Sequence, residues 1–348
     1  MTQNADLLYP GHHLVKLWWR LRSWLGLLVA VVVILTACSP VDLTRFSDAV
    51  RRVADHGIGG TGIFGTITGL GSVLVNGLTV EFDQETVITN DGVLVAAAAL
   101  AVGQVVSIEA GSRDGGLQAR SIAITNAVSG PITAIAASGS QIEVLGQTVT
   151  VNSASLKTPA PINLSAGQWV TVSGLRNAQG TIVASRVSRR AAGGRISVRG
   201  PVTARTTNGF TIGRLSVFAP GVAHTIEQGR TALAVGALTS AGLRAAQIKV
   251  ASEVLFDGNI SRLSIEGFVG RRESQRINIS GIQISVTDAT AVQGREGNQL
   301  FPNDRVTVDA VIEDRNAVAT RIDARNPESR DARKPWAEEI RGRAMVVR

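Results

Sequence analysis

The chain has 348 residues, with 37 Gly, only 4% aromatic residues, and 35 Lys plus Arg against 27 acidic residues, giving a formal charge of +8 and a pI of about 10.8. It is too long for one hydrophobic core and suits roughly two to four ordinary domains, at on the order of 100 to 200 residues each. One Cys, four His and one Tyr exclude a disulfide framework and a cysteine-based zinc cluster, and they leave little material for a catalytic triad.

Lys16, Arg20 and Arg22 precede an uncharged run from Ser23 to Ala37 that ends in Leu35, Thr36, Ala37 and Cys38. A basic segment, an apolar stretch and small residues at its end are the organisation of an export signal, so residues 1–37 read as a signal peptide. The competing reading is an uncleaved transmembrane helix, because the uncharged stretch extends through Ser39 and Pro40 to Val41. A span wants about 20 apolar residues, and Thr-Ala-Cys-Ser-Pro is a poor end for one. The first basic residue is Lys16, late for a signal, which suggests that translation starts downstream, near Val15.

Leu35-Thr36-Ala37-Cys38 resembles the lipobox of bacterial lipoproteins. The resemblance implies cleavage before Cys38, acylation of Cys38, and a mature protein held in a membrane by acyl chains, each buried CH₂ contributing about 0.8 kcal/mol. Ser39 stands where an Asp would, in many Gram-negative lipoproteins, retain the protein at the inner membrane. The resemblance therefore implies the outer membrane, on its periplasmic face.

Residues 38–62 read as a lipidated tether. Within it Leu43, Phe46, Val50 and Val53 recur at helical spacing, which predicts a short amphipathic helix stopped by Gly57. That helix would lie on the bilayer or pack on the first domain; the alternative is a solvated linker.

From residue 63 the chain repeats with a period near 67 residues. Openings recur at Gly65-Thr66-Ile67, Gly130-Pro131-Ile132, Gly200-Pro201-Val202 and Gly267-Phe268-Val269. Each is followed by a hairpin signature, two alternating strands about a glycine turn: Val73 to Phe82, Ile142 to Val151, Phe210 to Val217 and Ile277 to Ile284. A further alternating strand follows a Leu, at Val106, Val170, Ile248 and Val306, and a closing strand is expected at 119–122, 184–187, 260–263 and 319–322. In the third unit this spacing leaves 221–242 as an insertion, a loop or short helix.

Period-2 alternation buries one face of each strand, so each unit is an antiparallel sheet, and curling into a small barrel removes its two open edges. The expectation is all-β: tandem small antiparallel β-barrels, OB-like, at 63–128, 129–193, 194–263 and 264–326, packed end to end as a rod, with a basic tail at 327–348 expected to be disordered. The stretch from Gly57 to Phe82, with its Gly-Thr-Gly, Gly-x-Ile-x-Gly-x-Gly-Ser and Val-Asn-Gly, resembles the opening of a bacterial domain family, domain of unknown function 5666. That resemblance implies tandem small β domains in exported proteins, often lipoproteins, and supplies no catalytic residues.

The chemistry is sparse. His56 and His224 lie in the glycine-rich linker and the third-unit insertion, without an acid and a Ser at motif spacing. Glu81, Asp83 and Glu85 alternate on one strand face, but the matching positions elsewhere are Thr150, Ser216 and Ser285, which marks a solvent face. Asp-Gly pairs at 91, 114 and 257 are turn dipeptides rather than a calcium loop. No metal, cofactor or enzymatic activity is expected.

Net charge divides as +2 for 1–37, 0 for 38–62, −4 for 63–128, +4 for 129–193, +5 for 194–263, −1 for 264–326 and +2 for the tail. The excess in the middle comes largely from Arg186, Arg189, Arg190, Arg195, Arg199 and Arg205. Guanidinium groups take carboxylate and phosphate in bidentate fashion, so an anionic envelope polymer or lipid headgroup is a conceivable partner; the alternative is a solvated linker. Nucleic acid is not expected, because the units carry one Trp, Trp169, and a few Phe at core-like positions rather than a stacking platform. The overall expectation is a non-catalytic spacer or binding module of the cell envelope, anchored to a membrane, with an envelope protein or anionic component as partner. Cys38→Ala is expected to abolish labelling by a radioactive or clickable fatty acid and to release the protein from the membrane fraction; retention there without label would contradict the anchor.

Overall fold

The computed structural model describes residues 59–151, 156–157, 163–221, 225–250, 256, 260–273, 275–294, 299–314 and 316–324. The signal segment, Leu35 to Cys38, the helix expected at 42–57, His56, His224 and the tail lie outside the described residues. Among those residues there is no α-helix, and none long and apolar enough to cross a membrane.

Four β units follow one another. The first comprises β1 Gly60–Gly69, β2 Val73–Val75, β3 Leu78–Glu81, β4 Val87–Asn90, β5 Val93–Leu94, β6 Val105–Arg113 and β7 Gly116–Ile124. The second comprises β8 Val128–Ile135, β9 Gln141–Val144, β10 Gln147–Thr150, β11 Trp169–Arg176 and β12 Ile182–Arg189. The third comprises β13 Ile196–Thr206, β14 Gly209–Ile212, β15 Leu215–Phe218, β16 Thr231–Thr239 and β17 Gly242–Val250. The fourth comprises β18 Ile260–Glu273, β19 Arg276–Ile279, β20 Ile282–Ser285, β21 Ala291–Gln293, β22 Arg305–Glu313 and β23 Asn316–Asp323.

In the first unit β1 pairs antiparallel with β2 and β6, β2 with β3, and β6 with β7, while β3 runs parallel to β7. Numbered within the unit, the five strands close in the order 1-2-3-5-4-1, the order of an OB barrel. The other three units repeat it, each with a parallel pair of its third and fifth strands, β10–β12, β15–β17 and β20–β23.

Closure at this small size needs strong bending, and each unit bends at the same two places. The opening strand slips register after Ile67, Ile132, Val202 and Val269, and the fourth strand slips at Glu109, Ser173, Val235 and Asp309. A bulge adds one unpaired residue and sharpens the local twist, which lets a single strand contribute to both walls of a barrel. The hairpin turn then folds back over the opening strand. A Cβ on Gly65, Gly130, Gly200 or Gly267 would come within 3.0 Å of Asn76, Leu145, Ile212 or Ser280 respectively, so the recurrent opening glycine is a space requirement of that turn.

Two expectations change. The third barrel's fourth and fifth strands are β16 and β17; the segment expected as an insertion contains β16, and Ile260–Leu263, expected to close the third unit, begins the fourth. The cause is loop length: 219–230 joins β15 to β16, where 82–104, 151–168 and 286–304 do the same work elsewhere, so a fixed spacing overshoots by one strand.

Nor are the barrels arranged as a rod in chain order. β1 pairs in parallel with β18, with Thr61 opposite Arg262 and Phe64 opposite Ile265, so the first and fourth barrels share one sheet. β8 pairs with β13 through Val128–Val198 and Ser129–Ser197, and the second and third barrels share another sheet and one continuous core.

The seam between barrels one and four is polar and buried. The Glu266 carboxylate, 2% exposed, accepts the Thr66 N–H at 2.8 Å and pairs with the Arg305 guanidinium at 2.6 Å. Asn76 donates from Nδ2 to the carbonyls of Phe64 and Ser264. Glu266→Ala would strand the Arg305 cation and the Thr66 N–H, and is expected to lower stability in urea unfolding by about 3–5 kcal/mol. The exposed Glu313→Ala is expected to stay within about 0.5 kcal/mol of the parent.

Candidate cavity between the barrels

The residue immediately before each opening glycine points to where the barrels face one another. Those residues are Phe64, Ser129, Arg199 and Glu266; Phe64, Ser129 and Glu266 are buried and Arg199 half-buried. Around Phe64 and Arg199 the four units leave a cavity of about 710 Å³. The first barrel contributes Phe64 and Val105, the second Leu175, Arg176 and Asn177, the third Arg199, Arg230 and Thr231, and the fourth Phe268, Asn278 and Ser280. Among the described residues lining it there are three arginines and no Asp or Glu.

The arginines Arg176 and Arg199 differ in kind. Arg176, at the end of β11, donates from Nε and Nη2 to the Arg199 carbonyl at 3.0 and 2.7 Å, from Nη1 to the Gly180 carbonyl, and from Nη2 to Gln147 Oε1. It ties the second barrel to the third, and burial lowers its pKa to about 10, so it is cationic at neutral pH. Arg199 lies over the Phe64 ring, 5.8 Å from its centroid, and among the described residues no acceptor is hydrogen-bonded to its guanidinium. Desolvation pulls its pKa down while the field of Asp91 pushes it up. The Asp91 carboxylate is itself held by Asn126 and by the Ser197 hydroxyl, at 2.9 to 3.1 Å.

The six arginines singled out by sequence have separate surroundings. Arg186 reaches the Val102 carbonyl of the first barrel at 3.0 Å, and Arg189 the Asn163 carbonyl at 3.2 Å. Arg190 stacks on Trp169 and donates to Ser129 Oγ and to the carbonyls of Gly193 and Arg195. Arg195 and Arg205 are exposed, and Arg199 alone of the six lines the cavity. Arg176 was not visible to sequence reasoning, because nothing in its spacing distinguishes it from any basic residue at a strand end. The signal for Arg199 was there: it directly precedes an opening glycine, at a position that is Phe, Ser and Glu in the other units.

Glu81, Asp83 and Glu85 are exposed on the first barrel. Among the described residues no group of three His, Cys, Asp or Glu side chains is placed to hold a metal ion.

A chain of tandem five-stranded OB-like barrels closed about an arginine-lined cavity is the class that fold and site define. Family comparison matches residues 64–123, 129–188 and 266–323 to the domain of unknown function DUF5666, and the chain belongs to that family. The third barrel, unmatched there, has the same strand order and bulges and is a fourth copy of the fold. No curated protein matches the sequence. A solved structure titled drosophila Unr CSD456 is similar over 57% of this chain and 96% of its own, at 14% identity and a TM-score of 0.15.

The contrast between the arginines has an energetic consequence. Arg176→Met would leave the half-buried Arg199 and Gly180 carbonyls and the buried Gln147 without this donor, at up to about 1–3 kcal/mol for a group left unsatisfied, and is expected to destabilise the fold. Arg199→Met removes a half-buried charge that has no hydrogen-bond acceptor among the described residues, and is expected to leave the unfolding midpoint nearly unchanged. Calorimetry on the two variants checks the contrast.

Proposed function

We propose that this chain is a lipid-anchored, non-catalytic binding protein of the bacterial cell envelope that holds a small molecule in the cavity between its barrels. The signal-like organisation of residues 1–37 and the lipobox-like Leu35-Thr36-Ala37-Cys38 support an anchor at Cys38, and Ser39 favours the periplasmic face of the outer membrane.

The cavity carries the binding role. Small-molecule sites are concave, occupy about 300–1,000 Å³, favour domain interfaces, and combine apolar walls with a few polar groups. A space of about 710 Å³ walled by Phe64, Val105, Leu175 and Phe268 and set with three arginines fits that description. A spacer is served by units stacked in chain order; pairing the first barrel with the fourth shortens the chain's reach and favours the binding reading.

The test is to purify the full-length protein from its own membranes, denature it, and identify released small molecules by mass spectrometry. A compound in near-stoichiometric amount is expected. It should be lost in Ala178→Trp, which places an indole on an exposed position of the cavity wall and keeps the Ala178 N–H that donates to Asn303. Equal recovery from both proteins, with both folded by circular dichroism, would contradict the reading.

A further inference from the structure

We infer that the cavity selects a small monoanionic amphiphile, an organic carboxylate on an apolar body, and that Arg199 is the residue that takes its charge. The inference rests on the reading of the cavity as a binding site and adds the chemical class of what it binds.

Three observations lead to this class. The first is sign: the described residues lining the cavity include three guanidinium groups and no carboxylate, so the lining favours an anion over a cation. The second is availability. Arg176 is occupied by the Arg199 and Gly180 carbonyls and by Gln147, and Arg230 has partners of its own. Arg199 presents a planar fork of donors with no acceptor hydrogen-bonded to it among the described residues, resting on the face of Phe64. A guanidinium fork matches a carboxylate in two parallel N–H···O bonds, and such charge-assisted bonds are roughly twice as strong as neutral ones.

One available fork matches one negative charge. A dianionic phosphate would ask for a second free cation, and Asp91, whose field already acts on Arg199, makes a second negative charge less favourable still. The third observation is the wall. Phe64, Val105, Leu175, Phe268 and Ile282 are apolar, come from three different barrels and share the lining with Thr231, Asn278 and Gln283, so a short apolar body beside Arg199 meets apolar wall on more than one side. Inorganic anions gain nothing from such a wall, whereas an alkyl or ring substituent is transferred out of water at roughly 25 cal/mol per Å² buried.

Arg199 also has the character of a functional rather than a structural residue. Its half-buried guanidinium has no hydrogen-bonded acceptor among the described residues, and a carboxylate would supply one.

The experiment uses the full-length chain in nanodiscs of neutral lipid, titrated calorimetrically with octanoate, octan-1-ol, octyl phosphate and inorganic phosphate, with heats from empty nanodiscs subtracted. Octanoate is expected to bind saturably at one per chain and to weaken about tenfold to one-hundredfold in Arg199→Met. Arg199→Lys keeps the charge and loses the fork, and should fall between the two. Octan-1-ol, octyl phosphate and inorganic phosphate are expected to bind more weakly than octanoate.

Octanoate affinity unchanged in a folded Arg199→Met, or octan-1-ol bound as tightly as octanoate, would overturn the anionic class. If Ala178→Trp still blocked that binding, the cavity reading itself would stand. Inorganic phosphate bound as tightly as octanoate would overturn the amphiphile, and octyl phosphate bound more tightly would overturn the carboxylate. Octanoate binding unaffected by both Ala178→Trp and Arg199→Met would sink the cavity and its ligand class together.

Discussion

Every barrel in this protein is closed by a single opening strand that must satisfy partners on both of its edges. β1 shows the constraint most fully. Its first half, Thr61 to Thr66, is bonded to β6 on one side, and Gly60 to Phe64 is bonded to β18 on the other; past the bulge its end turns to β2. β8 does the same with β11 and β13. An edge strand left open is a template for unwanted pairing, and here the free edges of the opening strands are consumed pairwise, first with fourth and second with third. The remaining arrangement follows. Because the opening strands are the ones that meet, the residues ahead of their glycines lie near the junctions, and two of them, Phe64 and Arg199, line the cavity.

The centre is unusual for a protein of this composition. Its cores are aliphatic and well covered, yet the space between them holds guanidinium groups. Arg176 is accounted for by structure: it closes four hydrogen bonds and fastens two barrels. Arg199 is not accounted for in that way, since its contacts are a ring face and the field of an aspartate already held by Asn126 and Ser197. The excess positive charge of the middle of the chain thus resolves into arginines that brace main-chain carbonyls, two that are exposed, and Arg199, which lines the cavity.

Much of the barrel was legible in the sequence because its determinants are local. Alternation at Val73, Val75, Val80 and Phe82 marks the hairpin, and the opening glycines mark the place where the turn comes down on the strand. The third unit misled because its fourth strand, Thr231 to Thr239, is rich in Ala and Gly and follows a shortened loop, so neither amplitude nor spacing announced it. The partnership of barrels was not legible at all. Which edge joins which depends on strands nearly 200 residues apart, and no periodic pattern encodes it. The cavity went unseen for the same reason, although one of its residues stood in the arginine-rich stretch.

The parallel seam between β1 and β18 also sets a schedule. A polypeptide is made and delivered from its N-terminus, so the first barrel is complete long before the strand that covers its edge exists. For that interval Gly60 to Phe64 is an unpaired ladder flanked by glycine, open to the growing chain or to a neighbouring one. Contacts of such separation are slow to form, because loop closure comes before any pairing rewards it. The second and third barrels, adjacent in the chain, reach each other early. The middle of the protein therefore has the means to assemble first, with the two outer barrels brought together over it last, and any chain stopped before its fourth barrel would keep a sticky border for life.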